Sequence, residues 1–294
     1  MAKAPRASST ASVSAQVRAL LRAPDEGLDL DGVDARGTPG CTDGKDQAEA
    51  ERAEVAERLA ADQEILFANG RAGAPRSLLV ILQGMDTAGK GGTLRHVMGA
   101  LDPQGVQIAA FKRPTEEELE HHFLWRIRRR LPAPGMVGVF DRSHYEDVII
   151  ARVRELVPPE VWEGRYAEIA RFEWELQAAG TRVVKCLLHI SREESRERLL
   201  ARLDDPTKHW KYAPGDVDER ELWGEYRRAY EAAVARCGPA QGAAPWYVVP
   251  ADRKWYRNWA IAHIVAAELE EMELAWPPAD FDVEGERERL LAQG

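Results

Sequence analysis

The chain has 294 residues, 45% apolar and 30% charged, with a net charge of −9. This suits a soluble globular protein with a sizeable core; the acidic balance argues against general nucleic-acid binding, and the absence of any 18-residue apolar run argues against a membrane-spanning helix. Three widely spaced cysteines (Cys41, Cys186, Cys237) without C-x-x-C spacing exclude a disulfide scaffold and a zinc site and fit a reducing cytoplasm.

Residues 1–45 are rich in Ala, Ser, Gly and Asp with little periodicity, and read as a disordered tail. They lack the apolar h-region of a secretory signal. From Asp46 to Phe67 the spacing of Val55, Leu59 and Leu66 predicts an amphipathic helix. Apolar strands are then expected at Leu78–Gln83, Val106–Phe111, Met136–Phe140, Val183–Ile190 and Trp246–Val249. Helices are expected at Gly92–Leu101, Glu116–Arg130, Pro159–Ala179, Arg192–Leu203, Asp218–Val234 and Trp255–Met272, with Leu119, Phe123 and Ile127 as one apolar stripe and Trp125 beside them in the core. Alternating strands and helices imply one α/β domain over 46–278, a parallel five-stranded sheet flanked by helices, followed by a tail at 279–294. Trp162, Tyr166, Ile169 and the aromatic stretch from Trp255 to Trp259 would suit either core packing or the interface of a dimer or tetramer.

The first strand ends in GMDTAGKGGT, with G-x-x-x-x-G-K spacing at Gly84, Gly89 and Lys90. A strand followed by such a loop and a helix reads as a phosphate-binding P-loop, or Walker A motif. Its glycines let backbone N–H groups curl round an anion, and the lysine adds a fixed charge. Gly84, Ala88, Gly89, Gly91, Gly92 and Thr93 are the expected phosphate-binding residues, with Lys90. Gly91 stands where this motif usually carries the Ser or Thr that binds Mg²⁺, so carboxylates must hold more of any metal; Asp86, inside the loop, is the nearest candidate.

Ligands of open α/β sheets bind beyond the carboxyl ends of the strands, so the residues after each strand are the site candidates. Lys112 and Arg113 follow the second strand and could clamp a phosphate or sit in a surface salt bridge. Asp141 follows the third, at the position of a Walker B carboxylate, although a helix N-cap at Asp141 or Ser143 would account for it too. After the fourth strand, Arg198 and Arg202 share one helical face, Asp205-Pro206 interrupts the helix, and Lys208 and Lys211 follow. That segment, about 192–216, reads as a cationic lid over a polyanion, with Trp210 packing it down. For Arg128 and Arg129 a solvated helix face explains the charge run as well as an anion site does.

Together these segments resemble the polyphosphate kinase 2 family. GMDTAGKGGT, FKRPTEEE, FLWRIRR, DRSHYEDV, DPTKHWK and APWYVVPADRKWYRNW occur in the family's order across roughly Val55 to Pro278. The resemblance implies a P-loop kinase-like fold similar to thymidylate kinases, with a helical lid, and reversible transfer of a terminal phosphoryl group between inorganic polyphosphate and nucleotides (AMP, ADP, ATP), with Mg²⁺ or Mn²⁺. It puts phosphate binding on Lys90, Lys112, Arg113, Arg142, Arg202, Lys208 and Lys211, and metal binding on Asp86 and Asp141. SHYEDV, with Glu146, resembles the members that accept both nucleoside mono- and diphosphates, whereas Asp141 stands where those members often carry Asn. Adenine and guanine nucleotides are not distinguished. The competing expectations are an ATP-dependent nucleoside monophosphate kinase and a non-catalytic nucleotide-binding module.

Overall fold

A computed structural model describes residues 8–293, and side chains from residue 13. In chain order the elements are α1 (Ser8–Leu21), α2 (Gly44–Arg71), β1 (Ser77–Gln83), α3 (Lys90–His96), β2 (Val106–Ala110), α4 (Glu116–Leu119), α5 (Trp125–Arg128), β3 (Val137–Asp141), α6 (Glu146–Val153), α7 (Pro159–Ala178), β4 (Thr181–His189), α8 (Arg192–Leu203), α9 (Gly215–Glu221), α10 (Trp223–Arg236), β5 (Trp246–Pro250), α11 (Lys254–Glu271) and α12 (Val283–Leu291), with short 3-10 turns between some of them.

The strands form one sheet in the order β2-β3-β1-β4-β5, and every pairing is parallel. All seven residues of β1 are buried, so an uninterrupted apolar run is what a strand covered on both faces requires. Leu78, Val80 and Leu82 face a core made with α1, α2, α3 and α11. Leu79 and Ile81 face the other side, where Phe140, Phe172 and Val183 pack. The ends of β3 and β4 flank the end of β1, and the carboxyl ends of the three open onto one edge. No helix among the described residues is long and apolar enough to cross a membrane.

The expected disorder of residues 1–45 is corrected for the described part of that stretch; residues 1–7 lie outside the described residues. Val13, Val17 and Leu21 recur every four residues and put one face of α1 against α11, with Val17 and Leu21 buried. Arg18 pairs with Glu268 at 3.0 Å and also with Glu271. The chain then makes an antiparallel bridge to β5, Arg22 opposite Tyr247, where the Ala23 N–H donates to the Trp246 carbonyl at 2.8 Å, so the arm lies along the β5 edge of the sheet. The many small and polar residues around Val13, Val17 and Leu21 masked this helix in the sequence; its stability comes from docking, not from propensity.

Two further corrections concern helices. The single helix expected over 116–130 is two short pieces, α4 and α5, with the first opened by a capping box at Thr115 and Glu118. The break destroys the four-residue spacing: Ile127 is buried, Phe123 partly so, Leu119 is 70% exposed, and Trp125 is only half-buried. Second, α6 was not expected, and the single helix expected over 218–234 is two, α9 and α10, parted at Leu222. Tyr166, Ile169, Tyr256 and Trp259 are all taken up by the chain's own core, so they offer no interface. Residues 283–291 form α12, which buries nothing.

Candidate active site

The loop after β1 turns sharply because its glycines permit it. Gly84 has φ 146°, and a Cβ there would lie 2.7 Å from the Leu188 carbonyl oxygen. Gly89 has φ 108° and precedes α3. Lys90 is 8% exposed, and its Nζ donates to the Gly84 carbonyl at 2.7 Å and the Met85 carbonyl at 3.3 Å, which places the ammonium inside the loop. Burial, with Arg142 adding repulsion, lowers the Lys90 pKa against the attraction of Asp86, Asp141 and Glu146.

Asp141 ends β3 beside β1. Arg142 follows in a left-handed conformation, φ 65°, which turns its side chain back towards the loop. It pairs with Asp86 at 2.8 Å and with Glu146 at 3.4 Å. Burial works against the Arg142 cation, but Glu146 and Asp86 outweigh it and hold its pKa above the ordinary value. Burial pushes the Glu146 carboxyl up, opposed by Arg142 and Lys90. With the Gln83 amide oriented so that its nitrogen donates to Glu146 Oε1 at 3.0 Å, its oxygen accepts from Ser143 Oγ. Sequence-predicted Asp86, Lys90, Asp141, Arg142 and Glu146 are thus brought into one electrostatic cluster.

The DRSHYED turn is anchored from behind. Glu173 accepts from Tyr145 Oη at 2.7 Å, lies 3.2 Å from His144 Nε2, and bonds Lys185 Nζ at 2.7 Å; all four residues are buried. Burial would raise the Glu173 carboxyl, yet Lys185 and His144 prevail and bring it to about 2. A buried ionic network of this kind fixes where Arg142 and Glu146 project.

Four expected phosphate ligands have other work. Arg198 is largely buried, its side chain 9% exposed, and its guanidinium is saturated. Nη1 donates to the Thr87 carbonyl at 2.8 Å, Nη2 to the Ala251 and Asp252 carbonyls at 2.8 Å each, and Nε to Glu194 at 2.8 Å. It braces the loop, and its proposed place among the phosphate ligands is withdrawn. The Thr93 hydroxyl, fully buried, faces the Gly89 carbonyl at 3.4 Å. The Ala88 N–H donates to the Met85 carbonyl, and the Gly92 and Thr93 N–H groups to Gly89. Anion binding by the backbone is left to the N–H groups of Gly89, Lys90 and Gly91, at a helix start that lacks internal acceptors.

Lys112 and Arg113 stand exposed after β2, and no ion pair holds either among the described residues; the Lys112 carbonyl accepts from Arg126 at 2.9 Å, which fixes the turn. Arg128 and Arg129 pair with Glu175 at 3.0 Å and Glu117 at 3.9 Å, the solvated face. In the segment after β4, Arg202 donates to the Lys211 carbonyl at 2.9 Å and lies 3.5 Å from Asp216, while Lys208 pairs with Asp205 at 2.7 Å. Trp210, expected to pack, is 78% exposed and carries Lys211 Nζ over its ring at 5.0 Å.

Two features were missed in the sequence. One is a cleft between the loop and α8 to α10, lined by Gly84, Asp86, Arg142, Glu146, Trp223 and Tyr230. Its aromatic wall, Trp223 and Tyr230, comes from α10, whose spacing signalled only core. The other is Arg257 on α11, 2% exposed, with Nη1 donating to the Ala88 carbonyl at 3.2 Å. A charged residue inside an otherwise buried aromatic helix was the available signal. Among the described residues no group of three metal-ligating side chains exists.

Comparison with known proteins adds the following. The family model described as polyphosphate kinase 2 matches residues 42–276. The chain is 43% identical over 254 residues to the AMP/ADP-polyphosphate phosphotransferase of Meiothermus ruber, covering 86% of this chain and 93% of that protein. It is 41% identical over 233 residues to the ADP-polyphosphate phosphotransferase of Rhodopseudomonas palustris, covering 75% and 78% respectively. The crystal structure of polyphosphate kinase 2 from Arthrobacter aurescens TC1 superposes with a TM-score of 0.89 at 49% identity, over the full length of both chains.

Proposed function

The chain belongs to the polyphosphate kinase 2 family, and we propose that it phosphorylates both AMP and ADP from inorganic polyphosphate, reversibly, in the cleft described above. It is a polyphosphate–nucleotide phosphotransferase. The observation that carries the reading is the convergence of Lys90, Arg142, Asp86 and Asp141 at the carboxyl ends of β1 and β3, the edge where an α/β sheet binds phosphates.

The chemistry asks little of a general base. A nucleotide's terminal phosphate already carries most of its charge near neutral pH, with a second pKa of about 6. The obstacle is repulsion between two anions held in line. Lys90 and the N–H groups after Gly89 hold one phosphate; Arg142 neutralises charge on the group in flight. Lys112, Arg113, Arg202, Lys208 and Lys211 provide cations for the remaining chain. The support for direct transfer is that His144, the one histidine of the DRSHYED turn, is fully buried against Glu173, out of reach of a phosphoryl group.

A divalent cation, Mg²⁺ or Mn²⁺, fits the donor set. Such an ion takes one or two carboxylates and fills its sphere with water and substrate phosphates, which agrees with two carboxylates near Lys90 and no preformed cage among the described residues. Asp86 and Asp141 would hold it. When bound, it supplies charge neutralisation across the phosphates. Glu146 faces Arg142 and lines the acceptor cleft, and we assign it acceptor selectivity. The test is incubation of AMP, ADP, GMP and GDP, each with polyphosphate and no ATP. New diphosphate from AMP and triphosphate from ADP support the dual assignment; product from ADP alone refutes it.

A further inference from the structure

Two arginines are built into the phosphate loop from its buried side. Arg198 has a counter-charge, Glu194 at 2.8 Å. Arg257 has none among the described residues: Nε and Nη2 share the Asn258 Oδ1 at 3.2 and 2.9 Å, and Nη1 reaches the Ala88 carbonyl at 3.2 Å. The nearby Asp252 carboxylate is engaged by the Ser191 N–H and hydroxyl, each at 2.8 Å. A buried guanidinium with no carboxylate partner is costly.

The glycines of the loop show how close this charge lies. A Cβ on Gly89 would sit 1.7 Å from Arg257 Nη1, and one on Gly92 2.7 Å from Nη2. Gly89 and Gly92 are therefore needed for the arginine behind them as well as for a left-handed turn at Gly89. The guanidinium lies against the start of α3, where the free N–H groups of Gly89, Lys90 and Gly91 are. Burial and then Arg198 push the Arg257 pKa down to about 10, so it stays cationic near neutrality.

We propose that Arg257 is a positioning residue for phosphoryl transfer: it fixes the Ala88 carbonyl and holds behind Gly89 and Gly92 a positive charge that is balanced only when the loop binds a phosphate. The inference rests on the reading of this loop as the phosphate site. It predicts an unusual pair of signs. Without ligand the arginine contributes little to stability, because its charge is unmatched. With polyphosphate bound it contributes through the loop, without touching the anion.

The test uses the full chain, thermal melting, and calorimetric titration with inorganic tripolyphosphate on wild type, Arg257→Met and Arg257→Lys. Arg257→Met is expected to melt at or above the wild-type temperature without ligand, to bind tripolyphosphate on the order of tenfold more weakly, and to lose affinity less steeply as salt is raised. Arg257→Lys is expected to recover most of the affinity. Wild-type affinity in Arg257→Met overturns the proposal, and so does a lysine variant as weak as the methionine one. If Arg257→Met does not fold, Arg257→Gln, which keeps hydrogen-bonding capacity and removes the charge, takes its place: a loss of affinity that Arg257→Lys recovers supports the proposal, and wild-type affinity in Arg257→Gln overturns it. Failure of the wild type to bind tripolyphosphate would instead sink the reading of the loop.

Discussion

Asp86 and Arg142 meet at 2.8 Å, a carboxylate assigned to a metal and a guanidinium assigned to a phosphate, closed on each other. Both are about a third exposed, and a pair of that exposure is worth little to stability. It can therefore open when substrate arrives. Asp86→Asn should leave the melting temperature within about 2 °C of wild type and lower kcat by about a hundredfold or more. A variant that melts far lower would make Asp86 a structural residue.

Asp141 ends β3 with Lys90 across from it. Asp141→Asn keeps the shape and removes the charge. Turnover should fall at least about tenfold, and the metal concentration for half-maximal rate should rise. Near-normal turnover at ordinary metal concentration would remove Asp141 from the metal site.

Arg198 and Arg202 share a helical face but have different surroundings. Arg198→Met strips donors from the carbonyls of Thr87, Ala251 and Asp252 and leaves Glu194 unpaired, a loss of about 2–4 kcal/mol that should lower the melting temperature by several degrees. Arg202→Met, nearer the solvent, should cost under about 1 kcal/mol and raise KM for polyphosphate instead. Equal effects on melting and on KM in the two variants would contradict the division of labour.

The docking of α1 should be acid-sensitive. His263 on α11 is buried, with Nδ1 2.9 Å from Ser14 Oγ on α1; burial, with Arg58, pushes its pKa from the ordinary 6.5 to about 4. The unfolded state thus takes up a proton that the folded state resists. Stability is fully present above pH 6.5 and falls between there and about pH 4, by about 3 kcal/mol. His263→Asn should flatten the melting temperature across that window. An unchanged slope in the variant would place the acid sensitivity elsewhere.

The strands and the loop between β1 and α3 were legible because each rests on local chemistry: runs buried on both faces, and glycines with a lysine. The charged residues beyond the strand ends were legible for the same reason. Their partners were not. Arg198 and Arg202 look alike at four-residue spacing, and only the fold brings the carbonyls of Ala251 and Asp252 to one of them. Helix α1 was hidden because its composition is that of a low-complexity Ala/Ser stretch and its docking partner lies some 250 residues away in the chain, as Ser14 and His263 illustrate. The break between α4 and α5 carries no glycine or proline, so no breaker residue marked it in the sequence.

The most direct measurement follows ATP formed from ADP and polyphosphate with no ATP added, for the wild type beside Lys90→Ala. The account predicts ATP from the wild type, dependent on a divalent cation, and a rate lower by about a thousandfold in Lys90→Ala with its fold intact. Product formed equally well by the variant, or none from the wild type with any nucleotide acceptor, would contradict it.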